Sequence, residues 1–171
     1  TILGHGCLRD PRYAASEARS GFLALFTRTD LSTDGRRVYC VQPASSVVQI
    51  LDVRGNLVGV IRRAPPFYRA PVDVRASMNP MMLHRFGSTW TALKKFFPRR
   101  DGFVSLFSTS DATKEIFKLF ACDSSGSTVR CVAGDSPGRL LAVLPGDTLM
   151  ILENPERGSA IPKVGYYVGW R

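Results

Sequence analysis

The chain has 171 residues with 23 Lys and Arg against 14 Asp and Glu, a formal charge of +9, and 44% hydrophobic residues. This length buries one sizeable core without help from metals, and the composition excludes a disordered or low-complexity chain. No segment approaches the roughly 18 consecutive apolar residues that a membrane-spanning helix needs.

Taken from the start, "TILGHGCLRDPRYAASEARS" mixes Gly, Pro and charge without a period and reads as an arm over residues 1–20 that leans on something else. It begins at Thr1, as a processed or trimmed chain would. Residues 21–171 form the domain proper. Short runs of Val, Leu, Ile, Phe and Thr alternate there with Gly, Pro, Asp, Asn and Ser, which predicts hairpins and a mainly β fold. Candidate strands are 22–27, 37–41, 47–53, 57–62, 72–75, 103–108, 116–121, 127–133, 139–144, 148–153 and 166–170. In "DVRGNLVGVIRR" the residues Gly55 and Asn56 tolerate positive φ, so 47–53 and 57–62 pair across a turn. Both faces of that hairpin are apolar and call for cover on each side.

One segment breaks the strand pattern. In "NPMMLHRFGSTWTALKKFFPRR", Met82, Phe86, Trp90, Leu93 and Phe97 recur at helical spacing, with Pro80 suited to a first turn and Pro98 to a stop. The expectation is an inserted amphipathic helix at about 79–98 that also serves as a lid over the hairpin. The four cysteines, Cys7, Cys40, Cys122 and Cys131, form no CxxC pair. Structural zinc is therefore not expected, and although spacing does not exclude an oxidised pair, the expected state is reduced, buried thiol.

Charge is unevenly placed. Residues 54–100 hold ten basic side chains and one acidic one, while the rest balances at 13 against 13. Arg can grip phosphate bidentately, and a basic stretch attracts anionic surfaces. The anion-binding candidates are Arg62, Arg63, Arg69, Lys94, Lys95, Arg99 and Arg100. Arg62 and Arg63 read equally as the wet end of a strand. Trp90, Phe96 and Phe97 are the partner-contact candidates. Neither His5 nor His84 sits in a catalytic or metal-binding pattern, and "AGDSPG" has turn chemistry, so no catalytic residue, metal or cofactor is expected.

Several pieces, in order, carry a resemblance: "DVRGNLVGVIRR", "LFSTSDATKEIFKLFAC", "CVAGDSPGRLLAVL" and "GDTLMILENPERG". Together they resemble LURP-one-related proteins, which group with the Tubby-like and phospholipid scramblase barrels. The resemblance implies a single antiparallel β-barrel, with Phe22, Leu51 and Leu141 pointing inward. It carries over no catalytic residues. The ending "SAIPKVGYYVGWR" departs from the apolar axial helix of that family, and the segment 78–100 reads as an insertion.

The functional expectation is a non-catalytic binding or structural module, a subunit or adaptor of a larger assembly that meets protein partners through the arm and the basic helix. Alternatives are a phosphoinositide or other anionic-membrane binder and an RNA-contacting subunit of an organellar ribonucleoprotein. No small-molecule substrate is expected. The placement expected is intracellular, with the mitochondrion as the candidate organelle.

Overall fold

The computed structural model describes Cys7 and residues 30–71, 90–110, 114–125, 127–153 and 161–169. The strands are β1 (Asp30–Thr33), β2 (Arg37–Val41), β3 (Val48–Asp52), β4 (Leu57–Ile61), β5 (Ala92–Arg99), β6 (Gly102–Ser110), β7 (Glu115–Ser125), β8 (Thr128–Ser136), β9 (Gly138–Leu144), β10 (Thr148–Glu153) and β11 (Lys163–Tyr167). They form three antiparallel meanders: β1-β2-β3-β4, β5-β6-β7-β8 and β9-β10-β11.

The turns explain why these strands start and stop where they do. In the β1–β2 turn, Asp34 Oδ1 accepts the N–H groups of Arg36 and Arg37, and Asp34 Oδ2 accepts the Tyr39 hydroxyl. The β3–β4 turn repeats the device: Asp52 Oδ1 accepts the N–H groups of Arg54 and Asn56, and Asn56 Nδ2 donates to Oδ2. Gly55 supplies the positive φ of 87° that this turn requires. Each carboxylate satisfies backbone donors that the ladder leaves over, as Asp does in Asx turns.

The β5–β8 sheet is the middle layer, and period-two alternation makes it apolar on both faces. On one side Leu93, Phe96, Phe103, Phe107 and Phe120 pack with Tyr39, Val41 and Val48 of the first sheet. On the other, Val104, Leu106, Phe117, Leu119 and Ala121 pack with Leu140, Leu149 and Ile151 of the third. Stacked and edge-on ring pairs fill the first interface, among them Tyr39 with Phe96 at 5.3 Å and Phe96 with Phe103 at 5.1 Å between centroids.

Three expectations are corrected. No closed barrel forms among the described residues: each meander keeps two edges and the layers stack instead, because the middle strands are apolar on both faces and need cover on both. Leu51 is buried as a barrel would require, yet Leu141 is 39% exposed, since it is the extra residue where the β9–β10 register shifts. Phe22 lies outside the described residues.

The inserted helix is also overturned where the structure describes it, since Ala92–Arg99 is strand β5. A register shift between Leu93 and Lys95 adds one residue to the strand. Leu93 and Phe96 therefore share a face although three residues apart, a spacing that imitates a helix. Residues 72–89 lie outside the described residues. Among the described residues, the hairpin's cover is the middle sheet on one face.

The cysteines, finally, are oxidised. Cys7 bonds Cys40 on the outer face of the first sheet, and Cys122 bonds Cys131 directly across the β7–β8 ladder. Antiparallel register puts Cys122 and Cys131 opposite one another, with Cα atoms 4.1 Å apart, although nine residues separate them in sequence. Reduced thiol was the wrong expectation because spacing alone does not reveal register. The predicted strands 22–27 and 72–75, like the arm 1–20 apart from Cys7, lie outside the described residues; the other predicted strands overlap observed ones, with the last displaced to Lys163–Tyr167, and β1 was missed because "DLST" is short and half polar.

Candidate functional site

At one end of the middle sheet the β5–β6 turn, the end of β7 and the β9–β10 turn border an open groove of about 870 Å³. Its lining includes Arg99, Arg100, Asp101, Asp123, Ser124 and Asp147. Arg99 pairs with Gly102, and Gly102 with Asp123, so the three lie in one row across three strands. Having no side chain, Gly102 lets the β7 backbone come close beside it. A Cβ there would meet the Cys122 carbonyl oxygen.

Arg99 bridges two carboxylates. Nη1 lies 3.0 Å from Asp123 Oδ1 and Nη2 lies 2.5 Å from Asp147 Oδ1, with the Arg99 side chain only 20% exposed. Asp147 belongs to the third sheet's turn, so the contact ties two layers together. The turn itself is "LPGDT": Pro145 fixes a negative φ, Gly146 follows at 75°, and Asp147 holds 59°. A non-glycine residue in this left-handed region costs roughly 1 kcal/mol and persists where surrounding contacts hold it. At the other rim the Ser124 N–H donates to the Asp101 carbonyl at 2.6 Å, fastening the β5–β6 turn to β7.

This groove holds two guanidinium groups against three carboxylates, and Arg99 engages two of those. The described lining contains no histidine or thiol to act as base or nucleophile. The arrangement serves as a clamp between layers with a polar, near-neutral mouth.

The seven basic candidates do not converge on it. Arg62 and Arg63 follow β4 at the end of the first sheet that carries the β2–β3 loop. Arg69 is held at that same end, its N–H donating to Thr91 Oγ1 and its carbonyl accepting the Thr91 N–H. Lys94 and Lys95 lie one step further along β5, where the Leu93 N–H meets the Pro43 carbonyl. Arg99 and Arg100 stand at the opposite end, about 17 Å along the strand from Lys94. Lys94 is paired with Glu115 at 2.9 Å, and Arg99 is paired twice.

Nor do the aromatic candidates present a surface. Trp90 and Phe96 are buried, and Phe97 is half-buried against the second core cluster. Phe96 and Phe97 are core because β5 belongs to the middle layer, with the first sheet on one face and the third on the other. Sequence reasoning missed Asp123 and Asp147, for which the one available signal was the Pro-Gly-Asp turn.

A second feature lies on the outer face of the third sheet. Met150 pairs with Tyr166 and Ala142, and Leu152 with Val164, so these side chains share the face turned away from the core. Val164, Tyr166 and Val168 are 47%, 63% and 77% exposed. Apolar side chains thus occupy both faces of a sheet that, among the described residues, has cover on one.

Together these features define a disulfide-bonded, antiparallel, layered β protein with an interlayer clamp and an apolar sheet face left uncovered by the described residues. Comparison with family models, with curated proteins and with solved structures finds no match to this chain.

Proposed function

We propose that this chain is a non-catalytic binding module, a subunit of a larger assembly, and that it docks through the outer face of the third sheet. The observation that carries this reading is the exposed row Val164, Tyr166 and Val168 beside Met150 and Leu152. Contiguous apolar surface of this kind marks a site of association, whereas scattered apolar residues do not. Tyr is among the side chains most enriched in the anchoring centre of interfaces. The separation of Arg99 and Arg100 from the other five basic candidates, with Lys94 and Arg99 already paired to carboxylates, is why this reading is preferred to an anionic lipid or RNA held on one basic face. The two disulfides favour maturation in an oxidising compartment.

The test is purification of the tagged full chain from its native source under non-reducing conditions, beside Tyr166→Glu and Val164→Lys. Co-migration of the wild-type chain in a defined large complex, abolished by both changes while circular dichroism is unaltered, is the expected result. A chain that migrates alone, or a complex indifferent to both substitutions, overturns the reading.

A further inference from the structure

Strand β8 (Thr128–Ser136) is nine residues long, bonds β7 along one side and carries no strand on the other among the described residues. Its ladder with β7 runs without a register shift, and it contains neither proline nor lysine. Proteins ordinarily blunt such an edge with a bulge, a proline, a lysine or shortness, because an open edge recruits another strand. Almost every residue of β8 is exposed, including Val132 at 41%. We propose that β8 pairs antiparallel with β8 of a second copy, joining the two middle sheets into one continuous sheet.

The outward backbone groups are identifiable. Directly opposed residues of an antiparallel pair alternate between hydrogen-bonded sites near 5.5 Å and non-bonded sites near 4.5 Å. Cys122 and Cys131 are 4.1 Å apart at Cα, so theirs is a non-bonded site. The Ser124 N–H agrees: two residues on from Cys122, it points away from β8, to the Asp101 carbonyl. Hence Val129, Cys131, Ala133 and Asp135 turn their N–H and C=O groups to the open edge.

A two-fold axis through Val132 uses all four. It sets Val129 against Asp135 of the second copy and Cys131 against Ala133 of the second copy, twice each by symmetry, and each such pair exchanges two bonds. The other registers that keep faces matched leave an outward group at a strand end unpaired. Charge permits the same arrangement. The strand holds Arg130 and Asp135 and is locally neutral within a chain of +9. Arg130 then faces Gly134 of the second copy, about 13 Å along the seam from its symmetry mate. The two Val132 side chains meet at the axis. The partner is a second copy, and not an arbitrary extended peptide, because the strand is complementary to itself in backbone and face and the register brings no like charges together.

The test measures molar mass across a concentration series for the oxidised full chain, by light scattering or sedimentation. The wild-type chain should be a dimer. Ala133→Pro removes an outward N–H that β7 does not use, so it should weaken dimerisation roughly 100-fold while the melting temperature stays near wild type. Ala133→Val keeps the donor and should dimerise normally. Val129→Pro provides the same test at a second outward position if Ala133→Pro misfolds. Tyr166→Glu, which addresses the third sheet's face, should leave the dimer intact, so this inference and the proposed docking face fail separately. A wild-type chain monomeric throughout, or a dimer unaffected by both prolines, overturns the proposal.

Discussion

Arg99 Nη2 lies 2.5 Å from Asp147 Oδ1, and the same guanidinium reaches Asp123 in its own sheet, so one side chain locks the middle layer to the turn of the third. Asp147 holds φ at 59° to make that contact. Its substitutions should therefore separate backbone from charge. Asp147→Asn keeps left-handed tolerance and loses the charge; Asp147→Ala loses both. Unfolding in urea should show Ala as the more destabilising, by about 1 kcal/mol, with Arg99→Met costing about 1–2 kcal/mol. Equal losses for Asn and Ala would mean that the backbone is not held there by strain.

Gly102 lies between Arg99 and Asp123 in the row, and a side chain there would meet the Cys122 carbonyl. Gly102→Val should cost about 2–3 kcal/mol, in the range of backbone displacement and broken pairing in a core strand. Arg99→Met combined with Gly102→Val should lose less than the sum of the two, since the residues share one row. Strict additivity in a double-mutant cycle would contradict the row.

β5 belongs to the middle layer, and Phe96 tests this directly. Buried at 2% and flanked by Tyr39 and Phe103, its truncation to Ala should cost about 3–5 kcal/mol. Arg62→Ala and Arg63→Ala at the exposed end of β4 should change stability by no more than about 0.5 kcal/mol. A surface helix would give the opposite ranking for Phe96.

The two disulfides should contribute unequally. Cys7–Cys40 spans 33 residues and Cys122–Cys131 spans nine. In the chain-entropy account their removal costs about 4 and about 2.5 kcal/mol respectively. Guanidinium unfolding of the paired Cys→Ala variants measures both, and a reversed order would mean that native-state contacts outweigh loop closure.

Stability should fall at both extremes of pH, for opposite reasons. Asp34 is held below its ordinary 3.8 by the Arg36 N–H, the Tyr39 hydroxyl and the Arg37 N–H. Asp52 is held below the same value by the Asn56 side chain and backbone. For Glu115, burial pushes upward, but hydrogen bonds from Lys94 and Ser108 prevail and leave it below 4.5. These depressed carboxylates stabilise above their unfolded values, and the stabilisation is lost as pH falls through the folded ones. Tyr39 is raised above 10.0 by burial and then by Asp34, and Tyr167 is raised by its bond to Glu153. Their contributions are present below pH 10 and lost as pH rises through the folded values. The melting temperature should be level between about pH 5 and pH 9, with Asp52→Asn flattening the acid limb and Tyr167→Phe the alkaline one.

Most strands were legible because alternation and turn residues act locally. "DVRGN" specifies its turn through Asp52, Gly55 and Asn56, and "GDTLMILE" specifies β10, with no help from distant chain. What was not legible depends on neighbours. The bulge at Lys94 became visible only once β5 lay against β6. Arg99 reads as a basic surface residue until Asp123 and Asp147 arrive from other elements. Cys122 and Cys131 reveal their bond only through register. The barrel failed at the level above, since strand pattern says which residues are apolar and not how sheets close.

The middle sheet, apolar on both faces, has a consequence for the order in which protection is lost. Neither outer sheet has the other to lean on, so each can detach singly, while the middle strands are exposed only after both leave. Amide protons of β6 and β7 should exchange with deuterium only through complete unfolding, and those of β4 and β11 through cheaper, separate openings.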